Sequence, residues 1–191
     1  LLPIIKNEKI PITIFLTSGI IGSKKRFWFK INSLSQEQKE ELKKIGDNER
    51  LVFLSEKFGF YDNKEYADNQ ALSLLQINQM KNYVDFQSHT ITHPCLNKCT
   101  PEKSFIEIAQ SKAQIEEMTG SEVFSLAFPN GDYSDREIQY AKKAGYKCTL
   151  STKFGFNKEF TSCKFNLKRI STNDTLNVNE LIVRSCGLWH I

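Results

Sequence analysis

Val84-Asp85-Phe86-Gln87-Ser88-His89-Thr90-Ile91-Thr92-His93-Pro94 is the stretch whose reading decides the fold. Its first four residues have the apolar content of a short strand, and the polar residues that follow place two imidazoles four positions apart at the strand's end. Thr100 then offers a helix cap with Pro101 at the first helical position, and Phe105, Ile108, Ala109, Ile115 and Met118 give one apolar face to a helix over 101–118 that stops at Gly120. A strand over 123–128, a helix over 135–144 opened by Ser134 and stopped by Gly145, and strands over 146–150 and 167–170 continue the alternation. Such alternation predicts parallel βαβ units and an α/β fold, in which polar residues placed directly after strands lie at the functional edge.

Upstream, residues 1–8 read as the tail of a helix, and Ile12-Thr13-Ile14-Phe15-Leu16 reads as a buried strand. Helices are expected over 35–45 and 69–82, with no clear pattern over 46–68. The 191 residues, 40% hydrophobic and 25% charged, suit one domain covering 1–191. No apolar run approaches the roughly 18 to 20 residues of a membrane span. The net charge of +4 is scattered, with one short basic cluster at Lys24, Lys25, Arg26 and Lys30, so no nucleic-acid partner is expected. Cys95, Cys99, Cys148, Cys163 and Cys186 are odd in number and irregularly spaced, which predicts free thiols.

Two post-strand segments carry candidate chemistry. If residues 89–93 form a helical turn, His89 and His93 project from one face and can share a metal ion; the alternative is an ordinary pair of loop histidines. A zinc protease would need Glu after the first histidine, where Thr90 stands. A structural zinc site could instead recruit His89, His93, Cys95 and Cys99. The second segment is Ala127-Phe128-Pro129-Asn130-Gly131-Asp132-Tyr133-Ser134, where Pro129 fixes the approach and Gly131 frees the turn, so that backbone N–H groups can face developing negative charge. An ordinary βα turn would look the same.

Taken in order, Pro11-Ile12-Thr13-Ile14-Phe15-Leu16-Thr17-Ser18-Gly19, Ser88-His89-Thr90-Ile91-Thr92-His93-Pro94, residues 128–134 and Ala144-Gly145-Tyr146 resemble the polysaccharide deacetylases of carbohydrate esterase family 4, the chitooligosaccharide deacetylase homology domain. The resemblance implies a distorted (β/α) barrel in which His89 and His93 bind a divalent metal, most commonly zinc. It implies hydrolysis of an N-acetyl or O-acetyl group on a glycan, with Pro129, Asn130 and Gly131 lining the substrate site. Family members complete the metal site from a Thr-Phe-Asp-Asp-Gly motif on the first strand, one Asp acting as base and the other as ligand. This sequence has no such motif, so the expectation is a chain that begins downstream of it, lacks the first strand and is inactive as it stands. Ala127 and Asn130 also depart from the Arg and aromatic residue often found in the third motif. Leu188-Trp189-His190 has the letters of the last motif, which would make His190 the general acid; a surface histidine beside a core Trp is the alternative. The rival function is a non-catalytic glycan-binding or zinc-stabilised domain of the same fold.

Overall fold

The computed structural model describes residues 2–67, 70–157, 164–172 and 177–186. Seven α-helices and five strands lie within them, besides four short 3-10 turns: α1 Leu2–Glu8, β1 Ile12–Leu16, α2 Gln36–Lys44, α3 Asp47–Phe58, α4 Leu74–Met80, β2 Val84–Ser88, α5 Pro101–Thr119, β3 Ser125–Ala127, α6 Asp135–Lys143, β4 Cys148–Phe154, β5 Phe165–Arg169 and α7 Val178–Ser185. The five strands form one sheet in the order β1-β2-β3-β4-β5, and every neighbouring pair is parallel. Each crossover steps the same way across the sheet, so the order never reverses. That is the winding of a barrel arc rather than of a doubly wound sheet. Among the described residues the arc does not close, and β1 and β5 are its edges.

Local signals explain where the elements stop. Thr100 accepts a hydrogen bond from Lys103 N at the start of α5, and Gly120 takes φ 70° at its end. Glu137 reaches back from the first turn of α6 to accept from Ser134 N at 2.9 Å. Ser73 and Gln76 form a reciprocal cap that starts α4 at Leu74, inside the expected 69–82 helix. The pattern missed α3 and α7, and it placed β4 over 146–150, where the structure runs to Phe154.

The apolar face of α5 packs against β2 and α6, and Ile108, Ile115, Val123, Leu126 and Phe128 are fully buried in the main core. Burying each such side chain stabilises the fold by roughly 1.5–3 kcal/mol. A second apolar cluster gathers Trp28, Ile31, Leu34, Leu42, Leu54, Phe60 and Cys95, drawn from the long β1–β2 connection and the end of the histidine segment. The segments following β1, β2 and β3 therefore meet at the C-terminal edge of the sheet.

Candidate active site

His89 and His93 come together, with ring centroids 4.7 Å apart at an interplanar angle of 79°. The helical turn expected to do this is absent. Residues 89–93 form an irregular loop in which Thr90 and His93 adopt left-handed φ values of 69° and 60°. Non-glycine residues in that region cost energy, so the loop needs external restraints.

The structure supplies them from three directions. Ser18 N and Gly19 N, just after β1, donate to Thr90 O and Ile91 O at 3.0 and 2.9 Å. A Cβ on Gly19 would stand 2.7 Å from Ile91 O, so only glycine allows this approach. From α5, buried Glu107 accepts from Ile91 N at 2.8 Å, Thr92 N at 2.9 Å and Thr92 Oγ1 at 2.6 Å. Within the loop, His93 N donates to Thr90 Oγ1, and at its base the hydroxyls of Ser88 in β2 and Ser111 in α5 pair at 2.8 Å. Burial pushes the Glu107 carboxyl above its usual range despite the hydrogen bonds it accepts. Sequence reasoning passed over Glu107, whose signal was an acidic residue on the face of α5 that should be apolar.

The tautomer of His89 follows from its partner. Its Nδ1 lies 2.7 Å from Ala127 O, and since a carbonyl only accepts, Nδ1 carries the proton and Nε2 keeps its lone pair. A metal-binding histidine is commonly oriented by this kind of bond. Burial lowers the pKa of His89, and burial together with the His89 ring brings His93 to about 3. Both imidazoles are neutral at physiological pH, as metal ligation requires. His93 is nine-tenths buried with no hydrogen-bond partner on Nδ1. Both rings line a cavity of about 320 Å³, walled by Phe15, Ile20, Phe27 and Phe29. Phe27 and Phe29 stack at 4.9 Å, and both rings contact His93.

These residues fit a divalent ion in part. Two neutral imidazoles are in place, but the described residues hold no group of three or more His, Cys, Asp or Glu side chains able to enclose a metal. The four-ligand alternative therefore has no cluster: Cys95 Sγ accepts from Asn130 Nδ2, and Cys99 Sγ donates to Cys95 O. Burial raises both thiols, Cys99 to about 12. Cys95, Cys99, Cys148 and Cys186 are free, while Cys163 lies outside the described residues.

The Pro129–Gly131 turn follows β3, beside the histidine loop. Its Gly131 and Asp132 amides are committed to Phe128 O and Pro129 O, and Pro129 has no N–H, which leaves the amide of Asn130. Asn130 and Gly131 take φ 56° and 75°, and a Cβ on Gly131 would stand 2.8 Å from Thr152 N in β4. The turn residues do not line the histidine cavity; Asn130 meets the loop through Cys95. His190, Leu188 and Trp189 lie outside the described residues. No described helix is long and apolar enough to cross a membrane.

Comparison with known proteins bears on the family and the fold. The polysaccharide deacetylase family model matches residues 1–149. A Bacillus subtilis (strain 168) protein, YxkH, assigned by name to the polysaccharide deacetylases, is 29% identical over 97 residues, covering 50% of this chain and 35% of YxkH. The Streptococcus pyogenes deacetylase PplD, solved in complex with acetate, aligns with a TM-score of 0.54 and 25% identity over 69% of this chain and 54% of that one. A polysaccharide deacetylase from Bacillus cereus aligns with a TM-score of 0.54 and 27% identity over 73% of this chain and 48% of its own. The chain thus spans about a third of the curated relative and about half of the two solved ones. With more than half its length matched by the family, this chain belongs to the polysaccharide deacetylases.

Proposed function

We propose that this domain removes acetyl groups, chiefly N-acetyl groups, from a polysaccharide or glycan amino sugar by metal-dependent hydrolysis, with zinc the best fit to two imidazole ligands. The observation that carries the reading is the neutral His89–His93 pair at the sheet's C-terminal edge, with His89 Nδ1 bound to Ala127 O and its Nε2 lone pair left for a ligand. A divalent ion there supplies a Lewis acid for the acyl carbonyl and lowers the pKa of a water. The chain's own residues do the rest. Glu107 and the Ser18–Gly19 backbone hold both imidazoles in place, and Phe27 and Phe29 keep water off the His93 side. The Asn130 amide is the candidate donor to the oxyanion, and His190 the candidate donor to the leaving nitrogen.

By the family resemblance, the base and third ligand would be carboxylates of a Thr-Phe-Asp-Asp-Gly motif, which this sequence does not contain. Two neutral ligands leave a divalent charge uncompensated, so the 191-residue chain should bind metal weakly and release no acetate. Acetate release from acetylated chitooligosaccharide is measured for this chain and for a version carrying that motif ahead of residue 1. Activity in the second alone is expected. Equal rates, or equal metal content in the second and its His89→Ala/His93→Ala variant, overturn the reading. An extended version that binds metal and glycan but never releases acetate marks the non-catalytic alternative.

A further inference from the structure

Gln70, Ala71 and Leu72, which close one side of the histidine cavity, also form a wall of a second cavity of about 470 Å³. Ser73 and Gln76 at the start of α4 and Gly22 after β1 face them. That volume lies within the roughly 300–1,000 Å³ of small-molecule sites. The surrounding segments are tied to each other and to the aromatic wall beside His93. Gly22 N donates to Leu72 O at 3.2 Å, and Phe27 N donates to Gln70 Oε1 at 3.1 Å.

These bonds orient two side-chain amides. An N–H donor needs an oxygen opposite it, so Phe27 N fixes Oε1 of Gln70, and Ser73 N, 2.8 Å away, fixes Oε1 of Gln76. In each glutamine the NH2 group is left over, and neither donates to a described residue. Gln76 is exposed; Gln70 is half-buried, and its Nε2 is not among the polar atoms sealed from solvent. Among the described residues, no Asp, Glu, Lys or Arg lines either cavity, in a chain that is 25% charged. Free amide donors beside apolar Ala71 and Leu72 suit a neutral ligand rich in acceptors, such as sugar hydroxyls and an acetamido carbonyl. A sugar ammonium would meet no carboxylate here and would lose hydration without return.

We propose that this cavity seats the sugar next to the one presented to His89 and His93, and that it selects an uncharged, still acetylated sugar over one bearing a free amine, through the Nε2 donors of Gln70 and Gln76. The assignment rests on the glycan deacetylase reading and adds a rule to it. Acetylated runs are the preferred substrate, and a product amine moved into this position weakens binding.

Titration of the 191-residue chain in EDTA reads binding without metal-dependent turnover. The probes are acetylated chitooligosaccharide and its fully deacetylated counterpart, at a pH where the amines are charged and carboxylates ionised. The acetylated oligomer should bind at least about fivefold more tightly. Gln70→Glu keeps an acceptor for Phe27 N, and Gln76→Glu keeps the cap on α4, while each replaces a donor by a carboxylate. Each should weaken the acetylated oligomer about fivefold and tighten the deacetylated one, a crossing that a purely structural role would not produce. Should one variant fail to fold, the other decides. The proposal is overturned if the parent binds both oligomers equally, if neither saturates, or if the variants match the parent. Crossing affinities with no acetate released by the extended version remove the deacetylase reading alone. Acetate release with unmoved affinities removes this proposal alone.

Discussion

The histidine loop and the cluster around Trp28 are neighbours that handle buried polarity in opposite ways. In the loop, one carboxylate, Glu107, meets three neutral donors, and the surrounding backbone closes the remaining bonds. In the cluster, one carboxylate, Asp47, meets two cations and leaves two donors unmatched. The first arrangement over-determines a strained backbone and fixes two ring positions. The second holds charge in an apolar setting, where removing one partner leaves the others uncompensated. Positional precision belongs to the loop and electrostatic surplus to the cluster, so a substitution in each should fail differently.

The largest expected effect is in the cluster. Asp47→Ala strands the fully buried Arg50 and should cost about 3–5 kcal/mol in urea unfolding, whereas Asp47→Leu with Arg50→Met should be close to neutral. Metal affinity of the extended version should not change in either. An unchanged midpoint for Asp47→Ala would remove the electrostatic account of this region.

Next comes the loop. Glu107→Gln keeps an acceptor but loses charge and part of the three-donor match, for about 1–3 kcal/mol of stability. Metal affinity of the extended version should fall roughly 10- to 100-fold, the usual consequence of disturbing what orients a ligand. Stability loss with unaltered affinity would make Glu107 a packing residue only.

Two buried glutamates on adjacent helices extend the contrast to pH. Burial raises Glu107, so its folded pKa exceeds the unfolded one near 4.5, and its contribution to stability is greatest below 4.5 and declines as pH rises through the folded value. Burial also acts to raise Glu137, but hydrogen bonds from Ser134, Arg136 and Ser104 outweigh it, and the net shift is downward. Its contribution is therefore fully present above 4.5 and is lost as pH falls through its folded value. Relative to the parent chain, the deficit of Glu107→Gln should shrink with rising pH and that of Glu137→Gln should grow. Parallel pH curves for the two variants would refute the assignment.

What the sequence disclosed follows the same division. Strand content, the Thr100-Pro101 start and the Gly120 stop are local signals, so β2, α5 and the general α/β order were readable. So was the pairing of His89 with His93, although for the wrong geometric reason. A left-handed loop replaces the helical turn because its restraints come from Gly19 and Glu107, which are distant in sequence. Helix α3 was illegible because Asp47 and Arg50 occupy positions that an apolar stripe should fill, and only the tertiary pairing with Lys103 makes their burial tolerable. The aromatic wall of Phe27 and Phe29 has no periodicity to betray it and exists only once the connection folds over His93.

The smallest expected effect lies where the two regions join, at Cys95, which belongs to the second cluster and follows His93 by two residues. Its Sγ accepts from Asn130 Nδ2 at 3.6 Å, a weak bond because sulfur is a poor acceptor. Asn130→Gly deletes that bond, and glycine accommodates φ 56° without strain, so the turn keeps its shape and its amide. Global stability should fall by no more than about 0.5–1 kcal/mol. Buried Cys95, with its pKa raised by desolvation, reacts with a thiol reagent only when the joint opens, while exposed Cys186 reacts at once. A local loss of about 0.5 kcal/mol should speed the labelling of Cys95 about twofold. Acetate release by the extended version should stay at the parent rate, since the candidate donor is the backbone N–H. A collapse in activity with unchanged labelling would transfer the function of this turn from its backbone to the Asn130 side chain.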